Sequence, residues 1–230
     1  MSGQTNSSVP PWQGHGSSER IWLTTTDVSK LIWELEHQHD MGFPPSDRKL
    51  RLFACACARE FSALFFDQAC EDAIEITEWF CDGEAERSEL GQADSMAQAV
   101  AKQSRGEVAR AAQVVVDATE LHAMWAASYT SSQVVSEATR DQEIAHRCNL
   151  LRDIFGNPFR PVTLEPRWLS STVLDLARTI YDEKLFERMP ILGDALLDAG
   201  CDSEEIIQHC QGAGSHVRGC WVVDLLLGKT

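Results

Sequence analysis

The sequence is short of positive charge. Its 20 Lys and Arg stand against 35 Asp and Glu, a formal net charge of −15 over 230 residues. A field of that sign repels phosphate backbones and anionic lipid headgroups, so neither nucleic acid nor membrane is the expected partner. No apolar run approaches the ~18 residues a spanning helix requires. The first twenty residues, MSGQTNSSVPPWQGHGSSER, lack the basic and apolar regions of a secretory signal. The chain is therefore expected to be cytoplasmic and its eight cysteines reduced. Also missing are the Gly-rich phosphate loop, the G-x-S-x-G nucleophile turn, the H-E-x-x-H pair and the calcium loop. No residue is assigned a catalytic role. Apolar residues are not lacking: at 43% of the chain they suffice for a core and exclude a wholly disordered polypeptide.

What is present is helical periodicity. Residues 1–20, polar apart from Trp12 as their one large apolar residue, read as a disordered tail on which Trp12 could serve as a docking anchor. Thr24 to Asp27 offer N-caps for a helix running to about His37, and His37 and His39 sit at its end, where an imidazolium suits the dipole. Gly42-Phe43-Pro44-Pro45 then gives way to Ser46-Asp47, a cap before KLRLFACACAREFSALFF, whose apolar residues fall on more than one face and predict the central helix of the N-terminal half. A further helix is expected over 68–82, closed by Gly83. A long Ala-rich helix is expected over 92–124, with a possible break at Gly106 and with His122 facing the core, and its antiparallel partner over 135–155. FGNPFRPVTLEPRW, with its three prolines, cannot be regular helix or central strand. Beyond it, caps at Ser171 or Thr172 and at Ser203, a first-turn Pro190 and the apolar CWVVDLLLG predict short helices. The fold class is all-α: a bundle at 22–155, a proline-rich arm at 156–168 and a smaller C-terminal helical unit at 169–230, separate from the bundle or fused with it.

Four blocks, SDRKLRLFACACAR (46–59), LLRDIFGNPFRPV (150–162), PILGDALLDAGC (190–201) and HVRGCWVVDLLLGK (216–229), resemble a paralogous family of planctomycete proteins. The family has no assigned reaction, so the resemblance implies neither catalytic residue nor cofactor. Its members often carry Leu at the position of Cys210.

Three groups of residues are candidates for a site. Arg152, Arg160 and Arg167, with Phe159 and Trp168, form a basic and aromatic patch around the arm that could grip an acidic partner segment or pin the arm to its own chain. His209, His216, Arg218 and Asp224 could line a C-terminal pocket for a small molecule. Asp224 stands among Trp221, Val223 and Leu225 and so requires a basic partner, for which Arg218, Arg160 and Arg178 are the candidates. Cys201, Cys210, His216 and Cys220 have ligand types that suit tetrahedral zinc, without the tight C-x-x-C spacing that makes such motifs specific. The leading expectation is a helical protein-interaction or regulatory module that binds a protein partner or itself. A pocket protein or enzyme is the alternative, and a structural zinc site a further one.

Overall fold

Ser46 starts the central helix. Its Oγ accepts the amide of Lys49, and α3 (Asp47–Arg59) follows with nearly every face buried, Leu50, Leu52, Phe53, Ala54, Cys55, Cys57 and Ala58 among them. A helix covered all round must lie inside a bundle, and α3 is packed by four others: α4 (Gln68–Cys81), α6 (Gly106–Ala118), α7 (Ala123–Ser132) and α8 (Arg140–Phe155). This chain is described by a computed structural model over residues 15–40, 45–65 and 67–229; Trp12, residues 42–44 and the side chain of His39 fall outside the described residues. Among the described residues there are twelve α-helices and no strand, as an all-α protein requires.

The N-terminal boundary of order lies earlier than the composition predicts. Helix α1 (His15–Thr24) takes in residues assigned to the tail, and Trp22 is fully buried. Tertiary contacts supply what local propensity lacks: Trp22 Nε1 donates to the Gly156 carbonyl, and Arg152 donates to the carbonyls of Trp22 and Thr25 at the helix end. Burying one indole of this size is worth roughly 2–3 kcal/mol. Helix α2 (Val28–Asp40) then lays Leu31, Ile32 and Leu35 against α7 and α8.

The Ala-rich stretch is three helices. α5 (Arg87–Gln103) ends at Ser104, and Gly106, at φ +63, occupies the left-handed region where glycine suffers no steric penalty, so the chain reverses and α6 packs back on α5. A second break, which the periodicity does not show, falls at Thr119–His122. Buried Arg51 causes it, donating to the carbonyls of Glu120 and Leu121 and holding the end of α6 open. His122 consequently caps α7 and is exposed, where a core-facing position was expected. The helix expected over 135–155 is α8, preceded by a 3₁₀ turn at Glu137–Thr139, but it packs chiefly on α3 and α2, and the antiparallel partner of α5 is α6.

The C-terminal unit has a core of its own. Ser170 caps α9 (Ser171–Asp182), Pro190 lies in the first turn of α10 (Met189–Asp198), Ser203 caps α11 (Glu204–Gln211), and Cys220 precedes α12 (Trp221–Leu227). Val173, Ile180, Leu192, Leu196, Ile206, Val222 and Val223 pack together there, apart from the two apolar clusters of the bundle. The unit meets the bundle where α12 touches α8 and where the 212–220 loop crosses α3.

Candidate metal centre

At that junction four side chains of three chemical types converge. Asp153 comes from the last turn of α8, His209 from α11, His216 from the loop that follows, and Cys220 from the start of α12. Asp153 sits at a core-facing step of α8 between Leu150 and Ile154, so its carboxylate is buried by the same periodicity that buries its apolar neighbours. His216 and Cys220 are four residues apart across a turn that closes at Gly219. At φ +96, and with Leu52 Cδ1 2.9 Å from where a Cβ would stand, Gly219 can be only glycine, and it brings the loop against α3.

The ligand atoms lie within 4.8 Å of one another. His216 Nδ1 is 2.6 Å and His209 Nε2 3.1 Å from Asp153 Oδ1; Cys220 Sγ is 3.1 Å from His209 Nε2 and 3.9 Å from His216 Nδ1. The amide of Val217 donates to Asp153 Oδ2 at 3.0 Å, which fixes the carboxylate and leaves Oδ1 to the imidazoles. In a tetrahedron with bonds of about 2.0–2.3 Å the ligand–ligand edges are about 3.3–3.8 Å, and the separations here bracket that range. Burial pushes the Asp153 carboxyl up, but hydrogen bonds and charge from His209 and His216 outweigh it and hold the group below the usual carboxylate range. Burial, with the Asp153 charge, pushes the Cys220 thiol well above its ordinary value, against the amides of Val222 and Val223, which stabilise the thiolate.

This geometry differs from that of an activated cysteine and its base. An activated cysteine needs a lowered pKa and a base whose opposite nitrogen is oriented by a third group. Cys220 and Asp153 instead face the same nitrogen of His209, and both also approach the same nitrogen of His216. Four such groups around one point could hold a metal ion. A divalent ion would supply two positive charges against one thiolate and one carboxylate, a neutral buried unit.

Two of the four residues in the zinc set read from spacing come together here. His216 and Cys220 belong to the cluster; Cys201 and Cys210 lie outside it in the apolar core of the C-terminal unit, where burial raises Cys210 to about 12. His209 was a pocket candidate. Asp153 stands 56 positions before His209, and no spacing rule connects them; the one signal is an acidic residue at an apolar step of α8.

The expected pocket set divides. Asp224 pairs not with Arg218, Arg160 or Arg178 but with Arg48 of α3, whose Nη1 lies 2.6 Å from Asp224 Oδ2. Arg218 instead meets Asp82, the C-cap of α4, which also receives Arg48 Nε, Lys229 and the Tyr181 hydroxyl. Burial pushes the Asp82 carboxyl up, yet the Tyr181 and Arg218 hydrogen bonds and the two guanidinium charges outweigh it and bring it to about 2. Burial dominates at Asp224, which is held above the ordinary range despite Arg48. Two polar seams therefore bind the C-terminal unit to the bundle.

The arm candidates are engaged within the chain. Arg152 holds the end of α1; Arg160 reaches Glu19, as does Asn157; Arg167 reaches Glu165 and Asp202. Phe159 packs against the bundle core, and Trp168 is 3% exposed. A partner gripping the arm would have to displace these contacts. Among the described residues no helix is long and apolar enough to cross a membrane. No protein-family model, curated protein or solved structure matches the chain.

Proposed function

We propose that this chain is a zinc-class metal protein whose ion clamps the C-terminal helical unit onto the bundle. The observation that carries this is the convergence of Asp153, His209, His216 and Cys220, one from α8 and three from residues 209–220, with all ligand atoms within 4.8 Å. A thiolate with two imidazoles favours zinc over the oxygen-preferring cations. Four protein donors leave no position for water, which marks a structural rather than a catalytic ion. Because the thiol and imidazoles must lose protons to bind, affinity falls on acidification.

Metal analysis of chain purified without chelator and desalted is the direct test. Close to one equivalent of zinc is expected in the wild type, and less than about a tenth of the wild-type affinity in Asp153→Asn or His209→Ala, the loss typical when a metal site is damaged. Unchanged zinc content in both variants, or a wild type that takes up none from a zinc-containing buffer, would overturn the proposal. Protein interaction is the second reading. It is favoured by the exposed Trp33, Trp125 and Tyr129 on α2 and α7, two helices that pack together, rather than by the arm.

A further inference from the structure

Beside the metal cluster a cleft of about 160 Å³ opens between α3, α4 and the C-terminal unit. Its floor is apolar, with Leu52, Ala56, Phe186 and Val217, and its polar wall consists of Arg59, Glu78, Lys184, His216 and Arg218. Three cations therefore face one carboxylate in a chain whose overall charge is strongly negative.

The hydrogen bonds of this wall are incomplete. Arg59 reaches Glu78 through Nε at 2.7 Å, which leaves the terminal amino groups of its guanidinium to the cleft and solvent. Arg218 commits Nε and Nη2 to Asp82, while Nη1 stands 3.9 Å from Glu78 Oε2, too far for a hydrogen bond. Two buried atoms line the cleft: Glu78 Oε2, whose one close cation is Lys184 Nζ at 3.0 Å, and His216 Nε2, which makes no hydrogen bond. The side chains that carry them are 4% and 7% exposed. Lys184 is the one residue other than glycine with positive φ among the described residues, at φ 56. That conformation closes the end of α9, where the Leu185 amide donates to the Ile180 carbonyl.

An acceptor met closely by a lysine alone and an unmatched donor in one cationic cleft suit a ligand that offers both. We propose that the cleft binds a tetrahedral oxyanion that keeps a proton, hydrogenphosphate or the monoanion of a phosphate monoester. Arg59, Lys184 and Arg218 donate to its oxygens, and Glu78 Oε2 accepts the proton it retains. The donation by His216 Nε2–H rests on the metal reading, because a metal on Nδ1 places the ring proton on Nε2; the other four residues do not depend on it. Sulfate has the same shape and no proton at neutral pH. It would leave Glu78 facing an anion without a hydrogen between them, so the cleft discriminates against it.

Calorimetric titration of the metal-loaded chain with inorganic phosphate, glycerol phosphate and sulfate at one ionic strength tests this. Phosphate, the monoester or both are expected to bind at least about tenfold tighter than sulfate, since a buried polar group left unmatched penalises the wrong ligand heavily. Arg59→Gln, a partly exposed position, should weaken binding by a similar factor with the helical circular dichroism unchanged. Glu78→Gln should abolish the preference over sulfate. Because Glu78 is buried, Lys184→Gln is measured beside it, and should lose affinity whether or not the Glu78 variant folds. Binding of sulfate equal to that of both phosphate compounds, no binding of either phosphate compound at millimolar concentration, or full affinity in both Arg59→Gln and Lys184→Gln would each overturn the proposal. The wild type and Asp153→Asn together separate this proposal from the metal reading. A wild type that binds no metal and still prefers phosphate sinks the metal centre alone; a metal-loaded wild type with no preference sinks the cleft alone; Asp153→Asn, which should lose the metal, is expected to keep the preference for phosphate over sulfate.

Discussion

Adding a chelator in excess to the metal-loaded chain is expected to lower its Tm by about 8–16 °C. The figure follows from linkage. An ion that binds only the folded state, at a free concentration a thousandfold above its Kd, contributes about 4 kcal/mol. A chain of this length moves by about 2–4 °C per kcal/mol. The mechanism is specific to the position of the ligands. Asp153 belongs to the bundle while His209, His216 and Cys220 belong to the C-terminal unit, so an ion held by them would bridge two bodies with separate apolar cores. Without it, a buried carboxylate is left with two imidazoles and a thiol that burial keeps protonated. Differential scanning calorimetry with and without chelator reads the shift. In Asp153→Asn the same chelator should move the Tm by at least about 3–5 °C less than in the wild type, because a tenfold or greater loss of affinity removes about 1.4 kcal/mol or more at the same free ion concentration. A loaded wild type whose Tm ignores the chelator would show that the ion does not stabilise the fold.

The fold was far more legible than the site. Ser46, Ser203 and Pro190 mark helix starts by local chemistry, and the two-sided apolar pattern of residues 50–58 identifies α3 as central; each depends on neighbours within a turn or two. The failures are all long-range. α1 forms because Trp22 and Arg152 meet across 130 positions, and the break at Thr119–His122 exists because Arg51 arrives from another helix to take two carbonyls. The site repeats this rule. His216 and Cys220 were visible as a pair because four residues separate them, whereas Asp153 and Arg48 reach their partners only through the docking of the C-terminal unit on the bundle. Both were charged residues on helices with buried faces. A carboxylate at a core-facing step always implies a partner, but the sequence does not say which cation or ion has been folded against it.

The other seam carries the second large effect. Replacing Arg48 with Met keeps volume while removing the cation shared by Asp82 and Asp224, and the expected loss is about 3–5 kcal/mol, the range for breaking a buried ion pair from one side. For a chain of this length that is a fall of roughly 6–20 °C in Tm. Its pH dependence separates the two carboxylates. Asp82 has its folded pKa depressed from 3.8 to about 2, so it contributes stability, about 2 kcal/mol for a shift of this size, that is complete above pH ~4 and vanishes as pH falls through ~2. Asp224 has the opposite sign. Its folded pKa is raised, chiefly by burial, so its effect on stability is most favourable in acid and declines as pH rises through its folded value. Removal of Arg48 takes away the group that opposes this burial and raises Asp224 further, whereas Asp82 keeps Arg218, Lys229 and Tyr181. The deficit of Arg48→Met relative to the wild type should therefore be largest while Asp224 is ionised in both proteins and shrink as the pH is lowered, as Asp224 takes up a proton in the variant first. Urea titrations of both proteins at pH 5, 6, 7 and 8 measure it. A deficit independent of pH would mean that Arg48 acts through packing alone. In Arg48→Met/Asp224→Leu, where the stranded carboxylate is gone, a large part of the lost stability should return.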